Sequence, residues 1–104
     1  MAETEFTFAD AGAAEPITQL LLECGLPYEG IGKHLHNFIP ANRSGRTIGV
    51  VGLELYGRIA LLRSLAVAVP DRVQGLARAL FARAAAHALL QGVNALYLLT
   101  THGI

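Results

Sequence analysis

The sequence predicts a single small domain of mixed α/β class, an α+β sheet covered by helices. Three observations carry this. Strand-like and helix-like stretches interleave in the order β-α-α-β-β-β-α-β. Two adjacent strand patterns, Thr47 to Leu55 (TIGVVGLEL) and Arg58 to Ala68 (RIALLRSLAVA), are separated only by Tyr56-Gly57, which places a hairpin at the centre. The chain then runs strand, helix, strand, which favours a parallel pair joined by a right-handed crossover. A hairpin beside a parallel pair makes the sheet mixed, with helices on its faces.

Composition supports one core and excludes several classes. The chain has 104 residues, enough for one small hydrophobic core. It is rich in apolar and poor in charged residues, the reverse of a disordered chain. Eight basic and eight acidic residues cancel, so there is no strong electrostatic footprint for nucleic acid or an anionic membrane. The only cysteine, Cys24, cannot form an intrachain disulfide and reads as a small core or boundary residue. The start, MAETEFTF, lacks a basic-then-apolar signal pattern. Arg58, Arg63 and Asp71 interrupt the longest apolar stretches before they reach membrane-spanning length. The expected setting is cytoplasmic, with no nucleic-acid or membrane partner.

The elements follow in order. Glu5 to Ala9 alternates polar and aromatic residues, as a half-buried strand does. Ala13 to Cys24 is a helix: Pro16 suits its first turn, Ile17, Leu20, Leu21 and Cys24 form one stripe, and Gly25 stops it. Tyr28 to Phe38 spaces Ile31, Leu35 and Phe38 for one helical face, although its two glycines weaken it. Phe38 to Ala41 is a short strand that Pro40 confines to an edge or a bulge. Asn42-Arg43-Ser44-Gly45 is a turn. Gln74 to Gln91 is a helix with Leu76, Leu80, Ala84 and Ala88 on its apolar stripe, and Gly92 ends it. Ala95 to Thr100 is an almost wholly apolar strand, expected to be buried on both faces.

The chemistry concentrates between Leu61 and Leu80 (LLRSLAVAVPDRVQGLARAL). A strand runs into Pro70-Asp71, and Arg72-Val73-Gln74-Gly75-Leu76-Ala77 then opens a helix. Helix starts present unpaired N–H groups and partial positive charge. A residue without Cβ lets an anion approach them. These residues alone allow two readings, an anion cradle or a solvated turn capped by Gly75. They do not form a dinucleotide fingerprint, which needs a glycine triplet, nor a Walker loop, which needs Gly-Lys-Ser/Thr.

Leu65-Ala66-Val67 at a strand end, Pro70 in the loop and Arg72-x-x-Gly75-x-Ala77 at the helix start resemble the acetyl-CoA-binding core of the GNAT (GCN5-related N-acetyltransferase) superfamily. The acidic first strand, GLPYEGI, the hairpin and ALYLLTT are similar to bacterial small-molecule N-acetyltransferases, and among them to the arsenic-resistance N-acetyltransferase-like subfamily. The resemblance implies a GNAT fold over residues 1–104, lacking the last helix and strands with which the family continues. It implies direct transfer of acetyl from acetyl-CoA to the amine of a small molecule, with no metal. Backbone N–H groups of Val73, Gln74, Gly75, Leu76 and Ala77, with Arg72 and Arg78, would hold the pyrophosphate. Leu65, Ala66 and Val67 would line the pantetheine arm, with backbone groups of Leu65 and Val67 pairing to it. The thioester would lie where the hairpin strand and the strand of Tyr97 splay apart, with an N–H such as that of Val67 polarising its carbonyl.

The chain departs from the family pattern in several places. Val73 and Ala77 stand where glycines are usual, and Gln74 where a second Arg is common. Leu61 stands where many members carry a catalytic Glu. The chain ends at Ile104, before the family's last helix and strands, whose Tyr often protonates the leaving thiolate. The alternative is therefore a non-catalytic CoA-binding or oligomerisation module. An incomplete sheet would expose the edge of the last strand and predict a homodimer or larger assembly.

Two polar residues stand out on the hairpin. A loop of Tyr56-Gly57 sets Glu54 opposite Ile59, on one face with Leu61 and Arg63. Glu54 and Arg63 then lie roughly 13 Å apart along the strand, too far for a direct pair. Arg63 either contacts a substrate anion or is a structural charge paired with a carboxylate or reaching the sheet edge. Glu54 is the candidate base, directly or through water, or else a solvated strand-end residue. Ser64 points away from Arg63, toward helix packing. His34 and His36 have no cysteine or acidic cluster beside them, so a metal site is not expected.

Overall fold

The computed structural model describes residues 3–98 of the chain, with the side chains of Val73 and Gln74 excepted. Strand β1 (Glu5–Phe6) is followed by helices α1 (Ala14–Glu23) and α2 (Ile31–His34), then β2 (Phe38–Arg43), β3 (Arg46–Tyr56), β4 (Ile59–Val67), α3 (Leu76–Leu90) and β5 (Ala95–Leu98). The strands form one sheet in sequence order. All pairs are antiparallel except β4 with β5, which are parallel and joined by α3. The expected element order and mixed sheet are thus present. The last two residues of the expected final strand, Leu99 and Thr100, lie outside the described residues, as does His102.

Two apolar layers sandwich the sheet. On one face α3 buries Leu76, Leu80, Ala84 and Ala88 against Val51, Leu53, Ala60 and Leu62. On the other, Ile17, Leu20 and Leu21 of α1 and Ile31 of α2 pack on Phe38, Val50 and Ala66. Two glycines of β3 are sites of close approach. A Cβ on Gly52 would collide with the Phe38 ring, and one on Gly49 would lie 2.9 Å from Leu80. Their lack of side chains lets a ring and a helix settle directly on the strand.

Several sequence expectations are corrected. Glu5 to Ala9 pairs as a strand only over its first two residues, and the rest is held by single bonds from Thr7 and Ala9 N–H to the Pro40 and Phe38 carbonyls. Pro40 is not on an edge strand, since β2 lies between β1 and β3, but a register irregularity follows close after it, between Ala41 and Asn42. Pro40's carbonyl accepts from Thr7, so its missing N–H faces this short, irregular neighbour, where no donor is needed. The segment Tyr28 to Phe38 is helical only at Ile31–His34 and in a 3-10 turn at Leu35–Asn37. Finally, β5 is not buried on both faces: Tyr97 and Leu98 are 58% and 59% exposed. In the described sheet β5 borders β4 alone. Leu96 packs on the α3 layer, while the helices of the opposite face lie over β3 and β4.

The hairpin register is the correction with most consequence. Its loop is Gly57-Arg58, with Tyr56 paired to Ile59. Gly57 has φ of +64°, and a two-residue hairpin loop places a glycine of that kind at its first position. The pairing therefore slides by two residues: Glu54 faces Leu61, and Arg63 faces Gly52. Beyond Arg63 the register shifts at a bulge between Val50 and Gly52, where Ser64 has a left-handed φ of +60°.

Candidate active site

The first half of the site is the connection from β4 to α3. A 3-10 turn at Val69–Gln74 carries Pro70 at its start, where a missing N–H costs no bond. Asp71 is buried and anchors this turn to the β2–β3 hairpin, with its carboxylate 3.2 Å from Arg43 and 3.7 Å from Arg46. Gly75 then adopts φ +69° and starts α3. A Cβ built there would meet nothing within 4 Å, so conformation rather than crowding requires the glycine. The space outside this turn is open.

Helix α3 begins with Leu76, Ala77 and Arg78, and its first turn holds no acidic residue. The N–H groups of a helix's first turn lack intrahelical acceptors, so positive potential collects here. Leu76 is buried in the core, which leaves its backbone as the only part able to serve a ligand. Ala77 and Arg78 are exposed. The side chains of Val73 and Gln74 lie outside the described residues.

The residues ahead of this turn also offer backbone. Leu65 and Val67 pack on the α3 side and Ala66 on the α1 side, so all three side chains belong to the core. The Ala68 N–H bonds across to the Ile48 carbonyl at 2.8 Å. Backbone groups alternate along a strand, so those of Val67 point away from β3. That is the β5 side, where described pairing ends at Leu62 with Leu98. The Val67 carbonyl accepts from Arg72 Nε at 2.8 Å, and the Cys24 thiol lies 3.7 Å from the same oxygen. Beside this cluster is a cavity of about 530 Å³, lined by Glu23, Cys24, Arg46, Thr47, Ala68 and Pro70 among others.

The second half of the site lies on the α1/α2 face of β3 and β4. Arg63 Nη1 donates to Glu54 Oε2 at 2.7 Å, and both side chains are 12% exposed. The two residues expected to be too far apart to bond are therefore an ion pair. The corrected register makes them diagonal neighbours across β3 and β4. Ser64 is corrected too: its Oγ accepts from Arg63 Nε at 3.0 Å instead of packing under a helix. The Tyr56 hydroxyl donates to Glu54 Oε1. Burial by itself would raise the Glu54 pKa. Hydrogen bonds from Tyr56 and Arg63, with the charges of Arg63 and His34, outweigh it and hold the carboxyl below its usual value. Tyr56 is pushed up, first by its bond to the carboxylate and then by desolvation.

Sequence reading missed the supporting residues of this cluster. The Arg63 guanidinium also reaches the Glu29 carbonyl at 3.4 Å, and the His34 ring meets Tyr56 edge-on at 6.2 Å. Only the register brings these residues together. The parallel pairing also places Tyr97 beside Leu61, so Glu54, Leu61 and Tyr97 form one row across the sheet. Among the described residues, no group of three or more His, Cys, Asp or Glu side chains is placed to hold a metal ion.

The β4–turn–α3 junction, its parallel partner β5 and the layered sheet agree with the comparisons to known proteins. Residues 4–103 match the model of the acetyltransferase (GNAT) family. The chain belongs to this family. An uncharacterized N-acetyltransferase of Chlorobaculum tepidum is 34% identical over 97 residues, a match covering 88% of this chain and 63% of that protein. The chain thus spans less than two thirds of that relative's length. N-acetylglutamate synthase from Neisseria gonorrhoeae, solved with coenzyme A and N-acetyl-glutamate, superposes with a TM-score of 0.83 at 22% identity, over 98% of this chain and 26% of that one. An aminoglycoside N-acetyltransferase solved with CoA gives 0.79 at 15% identity, over 97% and 79% of the two chains. Diaminobutyrate acetyltransferase from Paenibacillus lautus, solved with its substrate and coenzyme A, gives 0.70 at 20% identity, over 81% and 57%. These likenesses show the GNAT fold.

Proposed function

We propose that this chain carries the acetyl-CoA half of an N-acetyltransferase that acetylates the amine of a small molecule. The observation that carries this reading is the junction itself: a family-matching strand whose outward backbone groups lead to a left-handed Gly75 and an acid-free helix start. In this reading the N–H groups from Val73 to Ala77, with Arg72 and Arg78, hold the pyrophosphate. Backbone groups of Leu65 and Val67 pair with pantetheine as an added strand would. The CoA complexes of the structural neighbours support the choice of cofactor. The amine attacks the thioester carbonyl carbon, the C–S bond breaks, and coenzyme A leaves as the thiol after protonation. Glu54 takes the amine's proton, directly or through water. Arg63 contacts an anionic group of the acceptor through Nη2, which exchanges its long 3.4 Å bond to the Glu29 carbonyl for it.

A second reading rests on a specific observation. Glu54 is held by Arg63 and Tyr56 and is a weaker base for it. Leu61 supplies no replacement. A non-catalytic CoA-binding module fits this closed cluster equally well. In both readings we infer a cytoplasmic protein that assembles through the β5 edge, whose Tyr97 and Leu98 are largely exposed. Titration with coenzyme A and acetyl-CoA, followed by thiol release with a panel of amino acids and amines, separates the readings. Binding with turnover establishes the transferase. Binding without turnover establishes the module, and no binding removes both. A monomeric mass for the folded chain in solution would rule out the assembly.

A further inference from the structure

We infer that Arg72 determines donor specificity: it competes with pantetheine for the Val67 carbonyl and is released only toward a donor that also carries phosphates. This rests on the coenzyme A reading above. Three features of the structure support it. First, both acceptor directions of the Val67 oxygen are engaged within the chain, by Arg72 Nε at 2.8 Å and by the Cys24 thiol at 3.7 Å. Arg72 Nη2 is also 3.6 Å from Cys24 Sγ, so the three groups form one small cluster. A carbonyl oxygen has two lone pairs. An incoming amide N–H must therefore displace one of these donors, and at 2.8 Å the Arg72 Nε–H occupies the hydrogen-bonding position that an amide N–H would take.

Second, Arg72 can leave without the backbone moving. Its neighbour Asp71 is pinned by Arg43 and Arg46, and the Asp71 N–H bonds the Ala68 carbonyl at 2.9 Å. Arg72 itself is exposed, so its side chain rotates into solvent from a fixed Cα. Third, the destination is close in sequence. Arg72 stands three residues before Gly75, on the turn that leads into the helix start. A diphosphate at that start offers the freed guanidinium a charge-assisted, fork-shaped partner. Pantetheine alone displaces Arg72 and gives it nothing in return. Coenzyme A displaces it and rehouses it. The contact thus penalises truncated pantetheine donors and links recognition of the two halves of the cofactor.

The test compares coenzyme A and pantetheine, each titrated into the wild-type chain and into Arg72→Ala. The variant is expected to bind coenzyme A about ten-fold more weakly, since a charged hydrogen-bond donor to the phosphates is gone. It is expected to bind pantetheine about three-fold more tightly, since the competing donor has been removed. The two affinities move in opposite directions. A residue that merely supports the loop would lower both, and that outcome, or unchanged pantetheine binding, overturns the inference. If Arg72→Ala does not fold, the wild-type chain still decides. Saturating pantetheine must move the Arg72 Nε–H resonance, and an unmoved resonance overturns the inference. Wild-type chain that binds coenzyme A but fails these tests rejects the role of Arg72 alone. Wild-type chain that binds neither ligand rejects the coenzyme A reading and the role of Arg72 with it.

Discussion

The two halves of the site are built from different materials. At the junction of β4 and α3, the candidate site is built mainly on backbone, the outward edge of Val67 and the first N–H groups of a helix entered through a left-handed glycine, with the exposed side chains of Arg72 and Arg78 beside them. Under α1 and α2, the site is made of side chains that satisfy one another, with Glu54 bonded to both Arg63 and Tyr56, and Arg63 also bonded to Ser64. A backbone site tolerates sequence change as long as the conformation is kept. A side-chain site depends on every member, because removing one leaves its partner buried and unpaired. The junction is accordingly open and general, while the cluster is closed and particular.

Glu54→Ala is the change expected to break this contrast most strongly. It leaves the Arg63 guanidinium nearly buried without its carboxylate, at a cost of about 3 kcal/mol. Thermal unfolding should show a drop of roughly 10 °C or more for a domain of this size. Adding Arg63→Met should recover much of the loss, and failure to recover would show that the pair is not coupled. Gly52→Ala comes next. Its methyl would collide with the Phe38 ring, and overpacking of this kind costs about 2 kcal/mol. Phe38→Leu in the same chain should relieve it, as denaturant midpoints would record.

The junction should respond in binding more than in stability, although a side chain other than Asn at φ +69° costs about 1 kcal/mol. Gly75→Asn keeps a residue that tolerates φ near +69° and should leave both the fold and coenzyme A binding close to wild type. Gly75→Glu puts a negative group at the helix start and should weaken coenzyme A binding by at least about ten-fold, roughly 1.4 kcal/mol. Equal calorimetric affinities for the two variants would show that the anion site is elsewhere.

The smallest effect is one of pH, and it samples a region away from both halves. His87 contacts Phe8 with ring centroids 4.7 Å apart, and its Nε2 lies 3.1 Å from Asn37 Oδ1. Desolvation, and then the charge of His36, lower its pKa from 6.5. A depressed folded-state pKa means that the unfolded chain binds the proton more readily. The His87 contribution is therefore complete above pH 6.5 and is lost as pH falls through the lowered value. Glu54 has the same sign at lower pH, its stabilisation being complete above 4.5 and fading as its own depressed pKa is crossed. Melting temperatures of wild type and His87→Gln should converge as pH falls from about 7 to about 5. A gap that stays constant would show that His87 does not titrate in this window.

Much of the fold could be read from local pattern. Gly25, Gly75 and Gly92 mark helix boundaries and all have positive φ, while the four-residue repeat from Leu76 to Ala88 is the buried stripe of α3. The junction was legible for the same reason: strand, turn and helix start are contiguous, so short-range sequence suffices to describe them. The cluster was not legible in this way. Its geometry depends on which two residues close the hairpin, and moving that loop from Tyr56-Gly57 to Gly57-Arg58 brought Arg63 within 2.7 Å of Glu54. The Ser64 bulge then shaped the contact, and it has no signal in local composition.

By itself, the sequence determined the element order and the apolar stripes of α1 and α3, because each depends on propensity or periodicity. Only the tertiary structure decided that Glu54 and Arg63 neutralise one another, that Arg72 sits on the Val67 carbonyl, and that Tyr97 and Leu98 stay exposed. Each of these is a contact, or a missing cover, between segments distant in the chain. Strand register and sheet order set which groups meet, and a pattern of nearest neighbours does not encode either.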